Sequence, residues 1–484
     1  MDAKPRINPT LLLSKEEMQK LGYQVVDLLV SHFESLPSKE PVTLASRKEM
    51  DDLLMEPVPE RGMDMDEVLN QVARKVLPYT DLLTHPRFFS FVPSPSNFVS
   101  TIADFLATGY NIFSGGWIAS PAAAEIEILT INWLLELFNF PLKEGGGIYT
   151  SGGSMANLIG LTTARKFKLD DDQSQATLYF SDQAHSSNHR AAKVLGFGSE
   201  QIRSVPTDDR FRMRMADLQE AVTQDRLAGM RPFCVMATAG TTNTGAVDPL
   251  PEIAELCQKE GLWMHVDGAY GGAAILTEKG RKTLKGIDRA DSITVDPHKW
   301  LFQPYEIGCV LTRDHTQLKK TFHQNPEYLK GFQRSAEEIN FYDHGVQLTR
   351  RFRALKLYMS IKAFGLASFR EAVQAGIDLA EQTQKEVERR PNWEIVSPAS
   401  LAVINYRYRP DDVSLTEAEL NDLNQHLSNE IIKSRQAMLV TTVLKGKVVL
   451  RMCLINPRST LTDITETLDS LEQYARRYLE QITP

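Results

Sequence analysis

Between about residues 80 and 370, short apolar runs alternate with segments of helical periodicity, and a chain written that way has few folds open to it. The runs include Leu178–Phe180, Phe233–Ala237, Leu262–Val266, Ser292–Val295 and Ile307–Leu311. Strands this uniformly apolar need cover on both faces, so the pattern predicts an α/β fold with a large, mainly parallel sheet. One intervening helix is predicted from Pro249 to Glu260, with Ile253, Leu256 and Cys257 inward and a stop at Gly261. Sheets of this kind bind ligands at the carboxyl ends of their strands. His185, Thr242, Asp267 and Lys299 all follow predicted strands, so the topology alone gathers them at one edge.

Each strand end carries a group with chemistry of its own. Lys299, in Asp296-Pro297-His298-Lys299-Trp300, closes a strand; burial there is expected to lower its pKa and leave an amine able to condense with a carbonyl such as that of pyridoxal phosphate (PLP). Taken alone, a lysine past a strand is a surface residue. Three further segments change that reading. Thr150-Ser151-Gly152-Gly153-Ser154 opens a helix whose free N–H groups favour an anion such as a phosphate. Asp267, at the mouth of Leu262–Val266, can pair with a pyridinium nitrogen. His185 supplies a flat ring able to stack on a cofactor.

The sequence resembles the group II PLP-dependent amino-acid decarboxylases, most closely their aromatic L-amino-acid decarboxylase branch. The resemblance runs nearly the whole length, through His85-Pro86-Arg87-Phe88-Phe89, Trp117-Ile118-Ala119-Ser120-Pro121-Ala122, Ser181-Asp182-Gln183-Ala184-His185-Ser186-Ser187, Gly240-Thr241-Thr242, His265-Val266-Asp267, His298-Lys299-Trp300 and Arg350-Arg351-Phe352-Arg353. It implies a PLP-dependent transferase-like fold (fold type I). It further implies that Lys299 bonds the cofactor, Asp267 partners its ring nitrogen, His185 stacks on it, Thr242, Ala269 and His298 surround it, and Gly153 and Ser154 meet its phosphate. Asp296 departs from the asparagine usual in the animal enzymes; a carboxylate repels a phosphate, so Asp296 is expected to cap a turn or act through water.

The same resemblance makes the polar stretch from Leu318 to His344 a lid whose Tyr328 reaches the site and returns a proton to Cα, with His298 as the second choice of donor. It places Phe91, Pro93 and Ser94 in the substrate pocket, completed by Phe113 to Trp117 of the other subunit of a homodimer; that wall suits phenylalanine, tyrosine or tryptophan. Arg87 keeps an acidic substrate open, as an alternative alongside a diamino acid. A decarboxylation-dependent aldehyde synthase of the same family carries phenylalanine at the lid tyrosine and often lacks the stacking histidine; Tyr328 and His185 are both present here.

Organisation follows from the remaining patterns. Residues 1–80 read as an N-terminal helical segment for dimerisation, with Ser14 and Glu17 as a capping box and an apolar face of Met18, Leu21, Val25, Leu28 and Leu29. Residues 81–370 form the PLP-binding domain, and 371–484 a small α+β domain with strands at Leu401–Tyr406 and a hairpin from Met438 to Ile455 turning at Lys445-Gly446-Lys447. A formal net charge of −8 argues against nucleic acid. No secretory signal or bilayer-length apolar stretch is expected, no metal site is read, and four scattered cysteines fit a reduced, cytoplasmic setting.

Overall fold

The computed structural model describes residues 11–170, 172–324, 327, 335 and 337–482. Its large sheet comprises β1 (Gly146–Thr150), β2 (Ala176–Ser181), β3 (Ile202–Val205), β4 (Arg231–Thr238), β5 (Trp263–Asp267), β6 (Ser292–Val295) and β7 (Gly308–Thr312). The spatial order is β1-β7-β6-β5-β4-β2-β3. Strands β3, β2, β4, β5 and β6 are mutually parallel; β2, β4, β5 and β6 are the predicted apolar runs, and β3 is a strand the sequence reading did not name. Strand β7 instead runs antiparallel to both neighbours. The connection from Asp296 to Ile307 contains no helix to carry the chain back along the sheet, and a parallel return needs such a crossover.

Helices Gly153–Leu169 and Ser186–Val194 begin a few residues after β1 and β2, which brings their N-termini to the ligand-binding edge. The predicted helix before β5 spans Leu250–Glu260 and ends at Gly261, whose φ of 68° makes a left-handed cap. A 36-residue helix, Ala354–Arg389, is broken at Gly365 (φ 74°) and runs from the large sheet to the small one. The division drawn at residue 370 therefore falls within it.

The small sheet has the order β10-β11-β9-β8, with β8 at Trp393–Ser400, β9 at Val403–Tyr408, β10 at Thr441–Leu444 and β11 at Lys447–Cys453. The hairpin turns on Lys445 (φ 51°) and Gly446 (φ 82°), the positive pair that a tight two-residue turn requires. Strand β8 escaped the sequence reading, since Trp393–Ser400 is polar enough to pass for a loop. Two motif aromatics hold the sheets together. Trp300 is buried and stacks on Tyr270 at 5.3 Å, and Tyr270 Oη accepts the Ala402 N–H at 2.9 Å. Cutting Trp300 to alanine would cost about 3–5 kcal/mol in lost packing.

The N-terminal helices Lys15–Ser35, Arg47–Leu54 and Met65–Lys75 bury no residue. The Ser14/Glu17 capping box is present, and an ion pair between Lys20 and Asp66 ties the first helix to the third. Of the predicted apolar face, Met18 is 57% exposed and Leu28 37%, while Leu21, Val25 and Leu29 are half-buried, so its own chain covers that face only in part. No described helix is long and apolar enough to cross a membrane.

Candidate active site

A cavity of about 510 Å³ opens at the carboxyl edge of the large sheet. Gly153, Ser154, His185, Thr242, Asp267, Ala269, His298 and Lys299, drawn from separate strand and helix ends, all line it. Asp267, the last residue of β5, is held at both oxygens: Oδ1 accepts the Ala269 N–H at 3.2 Å and Oδ2 accepts Asn157 Nδ2–H at 2.9 Å. Thr242 is fixed from beneath by Arg451, whose Nε donates to its carbonyl at 2.7 Å while Nη1 donates to the Phe91 carbonyl at 2.5 Å.

Lys299 lies four residues beyond β6, half-buried, with Nζ 3.0 Å from Asp296 Oδ2. The expected fall in its pKa is not what this environment produces. Burial pulls it down, but the nearby Asp296 and Asp267 carboxylates outweigh burial and raise it, favouring the ammonium form. Asp296 thus pairs with Lys299 instead of capping a turn, and its Oδ1 is buried without a hydrogen-bond partner. His298 Nδ1 lies 2.8 Å from the Ile307 carbonyl and 3.4 Å from the Ile307 N–H; the much shorter contact, to an oxygen that can only accept, favours the proton on that nitrogen. Burial lowers the pKa of this ring. Neutral His298 therefore has an acceptor at Nε2 and no second proton to give, which weakens it as a donor to substrate.

His185 is the N-cap of helix Ser186–Val194, its Nδ1 accepting the Ser187 N–H at 3.2 Å. Burial by the cavity walls lowers its pKa, Lys299 and Arg190 add to this, and Asp267 opposes it. On the opposite side, helix Gly153–Leu169 starts without a side-chain cap behind Gly152, whose φ is 144°. A Cβ on Gly308 would lie 2.5 Å from Gly152 Cα, so only glycine lets β7 pass this close. Uncapped N–H groups in a glycine cradle are what an anion needs.

Phe91 reaches the cavity. Pro93 and Ser94 are buried beneath it and do not line it, with Ser94 Oγ donating to the Gln303 carbonyl at 3.1 Å. Phe113 and Trp117 lie elsewhere on the chain, Trp117 held by its N–H to Asn340 Oδ1 at 2.9 Å. Arg87 points away from the cavity, ion-paired to Asp463 at 3.1 Å and to Glu466. Tyr328 lies outside the described residues. Arg350, from the Arg350-Arg351-Phe352-Arg353 motif, is buried in a bidentate pair with Glu127 (2.5 and 3.1 Å) and donates to the Tyr149 and Ser114 carbonyls. That motif braces the end of β1 from which the glycine turn springs.

Sequence reasoning missed Asn157, Ser187, His265 and Tyr305. His265 was within reach of it, because residues two apart on a strand share a face and Asp267 is two places on. Asn157 is one turn into the helix after the glycine cradle, a position whose direction only the fold reveals. Tyr305, whose ring lies 5.0 Å from that of His298, left no signal in the sequence.

Comparison with known proteins decides what this arrangement serves. Residues 48–409 match the family model described as the pyridoxal-dependent decarboxylase conserved domain. The chain belongs to the pyridoxal-dependent decarboxylase family. Within that family it is 47% identical over 470 residues to an aromatic-L-amino-acid decarboxylase of Bacillus atrophaeus, covering 97% of this chain and 98% of the relative. It is 30% identical over 481 residues to a phenylacetaldehyde synthase of Arabidopsis thaliana, covering 97% and 98%. Among solved structures, Oryza sativa TDC with PLP and tryptamine superposes with a TM-score of 0.91 at 29% identity, covering 96% of this chain and 99% of that one. The protein is a PLP-dependent carboxy-lyase acting on an amino acid. The site fits that cofactor: the glycine cradle for the phosphate, the doubly held Asp267 for the ring nitrogen, and Lys299 for the carbonyl.

Proposed function

We propose that this decarboxylase converts an aromatic L-amino acid, phenylalanine, tyrosine or tryptophan, into its amine and carbon dioxide. The observation that carries the reading is the convergence of Lys299, Asp267 and His185 on one cavity, in a chain 47% identical to an aromatic decarboxylase. PLP, when bound, supplies an electron sink for the breaking Cα–carboxylate bond. Lys299 is the covalent attachment point for its carbonyl. Asp267, fixed at both oxygens, keeps the ring nitrogen protonated. His185 would lie against the ring, and the uncapped N–H groups after Gly152 would hold the phosphate. Tyr328 returns the proton to Cα. With its own N–H committed to Ile307, His298 serves as an orienting neighbour.

Phe91 gives the substrate wall an aromatic face, and Arg87, committed to Asp463 and Glu466, leaves an acidic side chain without that cation. The working unit in this reading is a homodimer in which Phe113 to Trp117 of one subunit complete the pocket of the other. Exposed apolar side chains on the N-terminal helices support it, since they need a covering surface. Four free, buried cysteines accord with a cytoplasmic setting. The test is to supply purified holoenzyme with phenylalanine, tyrosine, tryptophan, glutamate and 2,4-diaminobutyrate and to identify the products. Amine from the aromatic set supports the proposal. Aldehyde with ammonia and peroxide, or activity confined to glutamate or the diamino acid, overturns it.

A further inference from the structure

Beneath Asp267 lies a chain of buried polar side chains whose hydrogens are all set by one charge. Asn157 is 1% exposed, and its Nδ2 stands 2.9 Å from Asp267 Oδ2 and 3.0 Å from Ser187 Oγ. A carboxylate only accepts, so the amide NH2 must face Asp267 and its carbonyl must face the other way. Asn157 Oδ1 then meets His265 Nε2 at 3.0 Å, and that nitrogen has to carry a proton, with Thr294 Oγ1 a second acceptor at 3.3 Å. His265 Nδ1 is left to accept from the Ser292 hydroxyl at 2.7 Å, whose oxygen accepts Trp263 Nε1–H at 2.9 Å. In the other direction, Ser187 Oγ receives the second Asn157 N–H. Because the Ser187 backbone N–H donates to His185 Nδ1 at 3.2 Å, that nitrogen is an acceptor, and Ser187 Oγ gives it its own proton at 2.8 Å.

We propose that Asn157 is a positioning residue that ties the Asp267 carboxylate to His185 through Ser187, with His265 as the strut that fixes its amide. Turning the amide over would set its oxygen against the carboxylate and a donor against His265 Nε2–H, two mismatches between buried groups. Asp267 is thereby held in one rotamer. His185 is held neutral, its one proton on Nε2 and its Nδ1 facing two donors. Two groups on which the cavity depends are thus coupled by a side chain that needs to touch neither substrate nor cofactor.

The inference rests on the assignment of Asp267 as the ring partner, and the test separates the two. Holoenzyme labelled with 15N-histidine should show His185 as the Nε2–H tautomer from about pH 6 to about pH 8, the range in which an unconstrained imidazole titrates. Asn157→Leu should lower kcat by about ten- to a hundredfold, as loss of outer partners does at metal sites, with little change in KM. It should also weaken PLP binding and let the other His185 tautomer appear. His265→Leu should act in the same direction. His265→Gln, which keeps an N–H near the Nε2 position, should recover most of that loss; a merely structural role would show as a lower Tm with kcat retained. Wild-type protein that never decarboxylates would defeat the functional reading. Active wild-type protein with His185 protonated at Nδ1, or an Asn157→Leu variant with unchanged kcat and unchanged His185 signals, would overturn the relay alone. Should Asn157→Leu fail to fold, the wild-type His185 spectrum and the paired His265 variants decide the question.

Discussion

The floor of the cavity and its rim are built on different terms. Asp267, Asn157, His265 and Ser292 are at most 5% exposed, sit on regular elements, and find their partners within the chain. At the rim Phe91 is 58% exposed, and away from the cavity the N-terminal helices leave Met18 and Tyr23 open. Rigid strand ends fix groups to the tolerance that bond-breaking demands. The rim has only to choose and enclose the substrate, and in the proposed homodimer it borrows surface from a second subunit. Changes to the floor should therefore strike the rate of chemistry, and changes to the rim should alter product, substrate and assembly.

Substitutions that sort by this division should fall in order of size. Lys299→Ala, which removes the proposed covalent attachment point, should abolish nearly all amine formation in a carbon dioxide release assay. Asp267→Asn should still bind PLP, seen by absorbance, yet turn over at least about a hundredfold more slowly, a loss of roughly 3 kcal/mol of electrostatic stabilisation. A near-normal rate there would erase the distinction between floor and rim. Tyr328→Phe should cut amine sharply and divert flux to aldehyde, ammonia and peroxide, measured by product analysis. Unchanged amine output would assign the proton to another group.

Two smaller effects sharpen the contrast. Mixing Lys299→Ala with Trp117→Ala subunits should restore about a quarter of parental activity, because random pairing of a twofold dimer leaves one intact composite site in half the dimers. A fully active monomer in sedimentation would contradict a shared rim. Acid stability should report the floor instead. Burial pushes His265 down to about 4, Asp267 opposing, against an ordinary value of about 6.5. As pH falls through that window the unfolded ring takes up a proton that the folded ring refuses, so stability is lost toward acid. His265→Gln should make that slope shallower in thermal melts, whereas a substitution at Tyr23 should leave it unchanged.

Legibility in the sequence follows the same line. The strand ends could be read because an apolar run followed by a polar residue records both burial and position, and His185, Thr242, Asp267 and Lys299, expected from them, all line the cavity. The direction of β7 could not be read, since apolar periodicity is blind to polarity of the chain; only the missing crossover helix after Asp296 hinted at it. The charge on Lys299 escaped as well. A sequence shows that a lysine is buried, but whether burial or two carboxylates governs its proton depends on distances, here 3.0 Å to Asp296. Asn157 was hidden for a similar reason, its partners coming from β5 and from the start of the helix at Ser186. Phe113 and Trp117, away from this chain's own cavity, carry an expectation that only the proposed assembly can meet.

Trapping the cofactor on the chain tests the central claim most directly. Holoenzyme reduced with borohydride, digested and sequenced by mass spectrometry should carry the pyridoxyl group on Lys299 alone, with the yellow absorbance lost on reduction. Finding the group on Lys356 or any other lysine, or finding no stable adduct in protein that releases carbon dioxide, would contradict the account.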